Sequence, residues 1–320
     1  MSPGKTSSAK GYLCVVIAAL MWASSGTAGK ALFDAGMSPF ALVQIRVTLA
    51  SAILFLVFLI FSRDLLRLQA RDIPFFLLLG SGVMAVVTGS YLYTISKIQV
   101  AAAILIQYLA PIFVAIFAML FWKERPTFFK ITALFLAFGG CFLVVGGYNL
   151  ALLQMNLPGI LGGLTSAITF AGYSLLGERA MHHYKPWTVI FYALAFSALT
   201  WHVFYPPFTY LRAGYSLAQW GWILYIAIVG TVLPFGLFFS GINHIRATQA
   251  SITATLEPIF AGFLAFIFLG ERLLLLQVVG GCMVILAIVL LQLQQEHDEL
   301  APALIRTSES SKKEQPGIQR

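Results

Sequence analysis

Charged residues are scarce in this sequence. Asp, Glu, Lys and Arg make up only 10% of the 320 residues, whereas hydrophobic residues make up 59%. A soluble domain carries about 25% charged residues, because its surface must be hydrated. The composition therefore excludes a water-soluble globular protein and indicates a chain that lies mostly in lipid.

Sequence motifs of phosphate and metal chemistry are also missing. The sequence has no Gly-Lys-Ser/Thr phosphate loop, no zinc-protease motif and no nucleophile elbow, which argues against ATP as a direct energy source. The three cysteines lie in apolar stretches, where they are expected to pack as small apolar side chains. His182 and His183 lack the spacing and companions of a metal site. We therefore expect no cofactor, no metal and no enzymatic activity.

Long apolar stretches dominate what is present. A membrane span needs roughly 20 mainly apolar residues, and the sequence offers ten such stretches. They lie near 11–33, 39–61, 74–96, 99–121, 128–147, 158–178, 187–206, 219–241, 248–269 and 273–292. The connections between them are short and leave no room for a soluble catalytic domain. We predict an all-α integral membrane protein with ten transmembrane helices, called spans 1 to 10 below.

Basic residues are distributed unevenly between the two ends of these spans. With the N-terminus in the cytoplasm, four basic residues lie near the outer side, namely Lys30, Lys97, Arg212 and Arg272. Most of the others then face the cytoplasm, as the positive-inside rule requires. The rule predicts that both termini are cytoplasmic, in agreement with an even number of spans. The net charge of +8 therefore marks orientation, and we expect no nucleic-acid partner.

The second half of the chain repeats the first after about 147 residues. The Tyr-Leu-Ala-Pro-Ile-Phe sequence around Pro111 returns as Thr-Leu-Glu-Pro-Ile-Phe around Pro258, and Glu124 returns at the same offset as Glu271. Each copy carries an odd number of spans, so the two copies must be inverted relative to each other. Glu124 and Glu271 each follow the end of a span, where we expect them to act as caps or boundary charges.

The repeats set the predicted domain boundaries. The first five-helix repeat covers 11–147 and the second covers 158–292. The remaining segment, 293–320, is polar and lacks hydrophobic periodicity, so we expect a disordered cytoplasmic tail. Because one chain already supplies both inverted halves, a monomer is expected to suffice, with a dimer as the alternative.

Several short motifs, in this order and in duplicate, resemble a known family. They are Trp22-Ala-Ser-Ser25 with Lys30, Pro39 followed by Arg46, Ala110-Pro-Ile-Phe113, and Leu256-Glu-Pro-Ile-Phe260 with Leu269-Gly-Glu271. On these residues the chain resembles an EamA-type member of the drug/metabolite transporter superfamily. It departs from the family pattern at Ala23 and Lys123, where the family usually has glycine.

The resemblance implies a central cavity between the two repeats, reached alternately from each side of a plasma (inner) membrane. It further implies that spans 1, 3, 4, 6, 8 and 9 line the path and that spans 5 and 10 pack at the edges. The export of a small metabolite would then be the activity. The substrate is not specified, because members of the family carry amino acids, amines, nucleosides, sugars and toxic cations.

Glu257 is the strongest candidate for a functional side chain. It lies about midway along span 9, where a lone carboxylate is costly and normally faces a cavity or a partner. Burial disfavours the charged form of a carboxyl group, so such a group can bind a proton. Pro258 removes the helical hydrogen bond to the Ala254 carbonyl and creates a kink with a free acceptor. Glu257 is thus a candidate site for substrate and proton, and the alternative is that it only holds the kink.

Two further polar residues are candidates for substrate binding. Gln107 lies three residues before Ala110, which corresponds to Glu257 in the first repeat, and Pro111 frees the carbonyl of Gln107. Its amide would recognise a polar group of the substrate or bond to another helix. Arg46 would neutralise a substrate carboxylate or pair with Glu257. Because span 2 is not expected to be central, a snorkelling or structural role is the favoured reading for Arg46.

Aromatic residues within the spans complete the candidate site. Trp22, Tyr91, Tyr93, Tyr108 and Tyr173 could surround a planar or cationic ligand, and of these Trp22, Tyr91 and Tyr173 are predicted to bind substrate. Aromatic stripes in membrane helices also pack against neighbouring helices or lipid, so this alternative remains for each of them.

The leading hypothesis is a secondary transporter that exports a small metabolite such as an amino acid by alternating access. Proton antiport at Glu257 and facilitated diffusion are the two forms of coupling to be distinguished. Its partners would be a small-molecule substrate, the lipid bilayer and, in the coupled form, protons. The alternatives are a multidrug exporter of aromatic cations and a non-transporting membrane sensor or scaffold. An intramembrane enzyme would need a second reactive group near Glu257, which the sequence does not show.

Overall fold

The fold is all-helical throughout the part of the chain that the structure describes. The computed structural model describes residues 3–98, 100–123, 127–149, 156–211, 213–269, 274–293 and 302–303. The predicted caps Glu124 and Glu271 and nearly all of the predicted tail lie outside these described residues. So do Arg212 and Arg272, two of the four basic residues expected near the outer side.

The first repeat contains spans 1 to 5. Their helical segments are Pro3–Asp34 for span 1; Pro39–Phe61 for span 2; Ile73–Leu77, Leu78–Met84 and Ala85–Lys97 for span 3; Val100–Gln107 and Ala110–Trp122 for span 4; and Phe128–Val144 for span 5. The segment Leu78–Met84 is π-helical. Pro39 begins span 2 in the first helical turn, where its missing N–H leaves no helical hydrogen bond unmade.

The second repeat contains spans 6 to 10. Span 6 is Leu157–Ala180, span 7 is Pro186–Phe204 and span 10 is Leu275–Leu293. Spans 8 and 9 share one helical run, with segments Leu217–Ala227, Ile228–Val232, Leu233–Thr253, Ala254–Leu256 and Glu257–Leu269. Ile228–Val232 is π-helical, so the third span of each repeat contains a π-helical segment. The backbone of Arg246 is not helical, and this residue separates span 8 from span 9.

The helices confirm the predicted ten-span architecture. Seven stretches are long and apolar enough to cross a membrane, and one of them, Leu217–Leu264, contains both span 8 and most of span 9. Two shorter apolar helices, Phe128–Val144 and Leu275–Leu291, supply spans 5 and 10. The predicted loop between 241 and 248 is the main difference from the sequence reading, because the break there is confined to Arg246.

The two repeats pack against each other in a symmetric manner. Span 2 packs on span 7 and span 5 on span 10, and the contact of span 1 with span 8 corresponds to that of span 6 with span 3. Glycines allow the closest of these contacts. A Cβ atom on Gly140 would lie 2.6 Å from the Gly280 carbonyl oxygen, and a Cβ atom on Gly280 would lie 2.6 Å from the Gly140 carbonyl oxygen. Spans 5 and 10 therefore touch backbone to backbone, as small residues permit in membrane helices.

Candidate functional site

A cavity of about 240 Å³ lies between the two repeats. Its wall is formed by spans 1, 2, 3, 4, 6, 8 and 9, whereas spans 5 and 10 contribute none of the described lining residues. The polar lining residues are Ser25, Arg46, Thr88, Tyr91, Gln107, Tyr108, Ser251 and Glu257. The path-lining spans are thus those that the resemblance implies, with the addition of span 2.

The cavity occupies one half of the helix bundle. Span 2 lines it with Leu42 and Arg46, within two turns of Pro39, and span 1 lines it with residues from Trp22 to Phe33, just before its end at Asp34. Since successive spans alternate in direction, these positions lie on one side of the bundle, called the Pro39 side below. The opposite side contains the break between spans 8 and 9 and is called the Arg246 side.

Glu257 lines this cavity at the kink of span 9. A 3₁₀ turn, Ala254–Leu256, precedes it, and the Glu257 N–H donates to the Ala254 carbonyl. The Tyr108 hydroxyl lies 2.9 Å from Glu257 Oε2 and 3.3 Å from the same Ala254 carbonyl oxygen. Pro258 therefore produces the expected kink, but the carbonyl that it frees accepts from the Glu257 N–H and lies within reach of the Tyr108 hydroxyl instead of being exposed.

Gln107 and Pro111 line the cavity at the kink of span 4. The helix of span 4 is interrupted at Tyr108 and Leu109, between Val100–Gln107 and Ala110–Trp122. The Oε1 atom of Gln107 is buried and has no hydrogen-bond partner among the described residues. An unpaired amide acceptor in a cavity wall is suited to a ligand N–H group, because a buried acceptor left without a donor is destabilising.

Arg46 lies in the cavity wall, although span 2 was expected to stay away from the path. Its Nε atom is buried and lacks a hydrogen-bond partner in the part of the chain that the structure describes. Arg46 also forms no salt bridge with Glu257, so of the roles considered for Arg46 the pairing with Glu257 is not what the structure shows. Tyr91, a further lining residue, interacts electrostatically with both Arg46 and Glu257.

Trp22 lines the cavity and is held by aromatic neighbours. Its ring makes an edge contact with Phe235 at 5.1 Å between centroids and another with Phe170 at 6.4 Å. Both partners also line the cavity. The Ser25 hydroxyl, one turn further along span 1, donates to the Trp22 carbonyl at 3.0 Å. The aromatic cluster around Trp22 is therefore built from spans 1, 6 and 8.

Tyr173 is the one predicted substrate-binding residue that the structure places outside the cavity. It is fully buried, and its ring stacks on Phe239 with 4.5 Å between centroids. The reason lies in its position one turn beyond Phe170, on the Arg246 side, where spans 6 and 8 are closely packed. Its hydroxyl has no hydrogen-bond partner among the described residues. We correct the sequence reading accordingly: Tyr173 belongs to the packed half of the bundle in this conformation.

An ion pair lies at the Arg246 side. Glu178, near the end of span 6, accepts from Arg246 Nε at 3.1 Å and from the Ala247 N–H at 2.7 Å. The side chains are only 12% and 7% exposed for Arg246 and Glu178, respectively. Arg246 has φ 67° and ψ 167°, a conformation nearly restricted to glycine that costs about 1–3 kcal/mol. The carboxylate of Glu178 thus stabilises the break that separates spans 8 and 9.

Two residues of the site were underestimated or missed by sequence reasoning. Tyr108 was counted only among the tentative aromatic residues, although its position three residues before Pro111 places it at the kink. Phe235 was not considered, although the preceding Pro234 marks an irregular stretch of span 8 beside the π-helical segment. The Glu178–Arg246 pair had no signal in the sequence, because the two residues are 68 positions apart.

The sequence of the chain matches the EamA-like transporter family over residues 9–146 and 157–293. An uncharacterized transporter of Archaeoglobus fulgidus is 30% identical, over 67% of this chain and 75% of that protein. The uncharacterized inner membrane transporter YicL of Salmonella typhimurium is 28% identical, over 90% and 96%. The threonine/homoserine exporter RhtA of the same organism is 25% identical, over 86% and 88%.

A solved crystal structure shares the fold. It superposes with a TM-score of 0.72 at 16% identity and covers 89% of this chain and 97% of that one. At this identity the likeness concerns the fold alone. The twofold family match agrees with the two inverted five-helix repeats and with a multi-pass transporter that has a bilayer and a small-molecule substrate as partners. The chain belongs to the EamA-like transporter family, which is a family of transporters and not of enzymes.

Proposed function

We propose that the protein exports a small zwitterionic metabolite, such as an amino acid, across the plasma (inner) membrane. The observation that carries this proposal is the presence of a cation, Arg46, and a carboxylate, Glu257, in the wall of one small cavity. A zwitterion needs both charges at once, whereas a cationic drug would need only the carboxylate. The name of one relative, the threonine/homoserine exporter RhtA, supports the same class of substrate.

Each charged group of an amino acid has a matching group in the cavity. The unpartnered Nε–H of Arg46 would donate to the substrate carboxylate, in a charge-assisted hydrogen bond of the stronger kind. The Glu257 carboxylate and the unpartnered Oε1 of Gln107 would accept from the substrate ammonium group. Tyr91 lines the same cavity and would also contact the ligand.

The size of the cavity favours a small metabolite over a drug. Pockets for drug-sized ligands have volumes of about 300–1,000 Å³, and this cavity measures about 240 Å³. Arg46 would in addition repel an organic cation. Trp22 and Phe235 would enclose the apolar side chain of the substrate. The aromatic-cation exporter is therefore the second candidate, supported only by these aromatic rings.

Alternating access would follow from the inverted repeats. In the conformation described here the cavity lies on the Pro39 side, and the Arg246 side is closed by the packing of Tyr173 and the Glu178–Arg246 pair. With both termini in the cytoplasm, this conformation would face outward. Rocking of one repeat against the other would exchange the open and closed halves. One chain contains both halves, so a monomer would suffice.

Competition for Glu257 would couple export to protons. One carboxylate can accept the substrate ammonium group or bind a proton, and it cannot do both fully at once. Release of substrate on the outside would free Glu257 to take up a proton. The proton would be released inside when the next substrate binds. Because the substrate and the proton exclude each other at Glu257, antiport needs no second ion site.

A ligand screen of the purified protein tests the proposal. A ligand that binds only the folded state raises the apparent melting temperature, and amino acids should do so more strongly than amines that lack the carboxylate. In Arg46→Gln the loss of a charge-assisted bond, worth about 1.5–3 kcal/mol, should weaken amino-acid binding by about 10–100-fold. Amine binding should not weaken, because the variant removes a positive charge that repels an amine.

The controls separate charge recognition from loss of structure. Arg63→Gln alters an exposed arginine just after span 2 and should leave amino-acid binding unchanged. Glu257→Gln should abolish the pH dependence of binding. Stabilisation by aromatic cations but not by amino acids would instead support the multidrug exporter. Stabilisation by none of the ligand classes would favour the sensor or scaffold.

A further inference from the structure

One hydroxyl group joins the kinks of both repeats. Tyr108 lies in the interruption of span 4 in the first repeat, and its hydroxyl reaches the kink of span 9 in the second. There it is 2.9 Å from Glu257 Oε2 and 3.3 Å from the Ala254 carbonyl oxygen. The side chain is buried at the edge of the cavity, with 8% of its surface exposed. The two proline kinks are thus in direct contact through this hydroxyl.

The hydroxyl has two acceptors within reach but only one hydrogen to donate. When Glu257 is ionised, its carboxylate is the stronger acceptor, so the Tyr108 hydrogen points to Oε2. When Glu257 is protonated, its own O–H can donate to the Tyr108 oxygen. The Tyr108 hydrogen is then available to the Ala254 carbonyl, whose second lone pair is free beside the bond from the Glu257 N–H.

We propose that Tyr108 is a positioning residue that couples the protonation of Glu257 to the geometry of the span 9 kink. Addition of a proton to Glu257 reverses the direction of the Tyr108–Glu257 hydrogen bond. It also transfers the Tyr108 hydrogen bond from the side chain to the backbone at the kink. The Tyr108 hydroxyl, which joins the two repeats, is then bonded to the main chain of span 9 instead of to the flexible side chain of Glu257. This inference rests on the proposed proton site at Glu257.

The surroundings of Glu257 single out Tyr108 for this role. Among the described residues, the other titratable side chains that interact with Glu257 are Tyr91 from span 3 and Cys141 from span 5. The Cys141 thiol donates to the Thr255 carbonyl at 3.7 Å and not to Glu257. Arg46 from span 2 interacts electrostatically with Tyr91, and span 1 presents Trp22, Phe33 and small residues to the cavity, none of them charged.

The test uses four forms of the full chain in lipid nanodiscs: wild type, Tyr108→Phe, Tyr173→Phe and Glu257→Gln. Infrared difference spectra between acidic and alkaline buffer report the carboxylic C=O band of a protonated side chain. Hydrogen–deuterium exchange of peptides covering 254–269, with labelling times corrected for the pH dependence of intrinsic exchange, reports the kink. Tyr173→Phe is the matched control, because it removes a buried tyrosine hydroxyl that lies outside the cavity and has no hydrogen-bond partner among the described residues.

We expect a carboxylic band and a pH-dependent protection of 254–269 in the wild type and in Tyr173→Phe. Glu257→Gln should lose both. Tyr108→Phe should keep the band, moved to higher frequency because the acid group has lost its acceptor, and should lose the pH dependence of protection. A merely structural role would lower protection by the same factor at each pH.

Two other results have distinct meanings. If Tyr108→Phe keeps both the Glu257 band and the pH dependence of protection seen in the wild type, the proposed role of Tyr108 is overturned. The proton site at Glu257 is then unaffected. If the wild type shows no carboxylic band that is lost in Glu257→Gln, the proton site at Glu257 is overturned, and the coupling inference with it.

Discussion

The kinks of spans 4 and 9 occupy equivalent positions in the two repeats, but their chemistry differs. In span 4 the residue before the proline is Ala110, which is buried and apolar; in span 9 it is Glu257, which carries a carboxylate into the cavity. The backbone is interrupted at both places. Repetition thus reproduces the geometry of the kink, whereas the side chain before the proline decides whether the kink carries a charge.

The polar and charged side chains of the whole cavity are likewise divided unequally between the two repeats. The first repeat supplies Arg46, Gln107 and Tyr108, and the second supplies Glu257. A relative movement of the repeats would therefore change the distance between the cation and the carboxylate. Equivalent positions also differ in their packing, because inversion places them on opposite sides of the membrane. Gly26 faces open space in the cavity, whereas its counterpart at the repeat offset, Tyr173, is fully packed.

The largest effect is expected where the repeats are truly equivalent, at the contact of spans 5 and 10. In Gly140→Ala or Gly280→Ala the new methyl group would lie 2.6 Å from the opposite carbonyl oxygen. Overpacking of this kind costs about 1–3 kcal/mol of folding free energy. The apparent melting temperature in detergent should therefore fall in both variants, and the fall should be about the same in each. Gly221→Ala is the control, since a methyl group there meets no atom within 4 Å and should not lower the melting temperature.

An intermediate effect is expected at the two prolines. Pro111→Ala and Pro258→Ala each restore an N–H that can complete a helical hydrogen bond, worth about 0.5–1.5 kcal/mol. The two melting temperatures should therefore change little and alike. The pH dependence of hydrogen exchange over 254–269 should be lost only in Pro258→Ala, because a restored bond to the Ala254 carbonyl competes with Tyr108. Equal losses in both variants would contradict the division of roles between the kinks.

The smallest effect is expected at Tyr173, where the structure corrected the sequence. Tyr173→Phe keeps the stacking on Phe239 and removes a buried hydroxyl that has no partner among the described residues. An unsatisfied buried group is destabilising, so the free energy of unfolding should stay the same or rise by about 1 kcal/mol at most. The melting temperature should therefore not fall. Amino-acid binding in the thermal-shift assay should be unchanged. A weakening comparable to that in Arg46→Gln would return Tyr173 to the substrate site.

Much of the architecture could be predicted from the sequence, because hydrophobic length and duplication are local or directly countable signals. The ten spans follow from the apolar stretches, and the inverted repeats follow from an odd number of spans in each copy. The kinks at Pro111 and Pro258 also follow, since proline lacks the N–H that a helix needs. The importance of Glu257 as a candidate follows from the cost of a carboxylate in a membrane helix.

The arrangement of the candidate side chains around the cavity was decided by the tertiary structure alone. Helical periodicity gives the face on which Arg46 or Tyr173 lies, but not the neighbour that this face meets or the half of the bundle that is open. Arg46, a candidate for which a structural role was favoured, therefore lies in the cavity wall, whereas the candidate Tyr173 lies outside it. The bond between Tyr108 and Glu257 spans 149 residues and joins opposite repeats. Such a contact depends on the packing of inverted helices, whose relative rotation is set by many side chains at once and by no single motif.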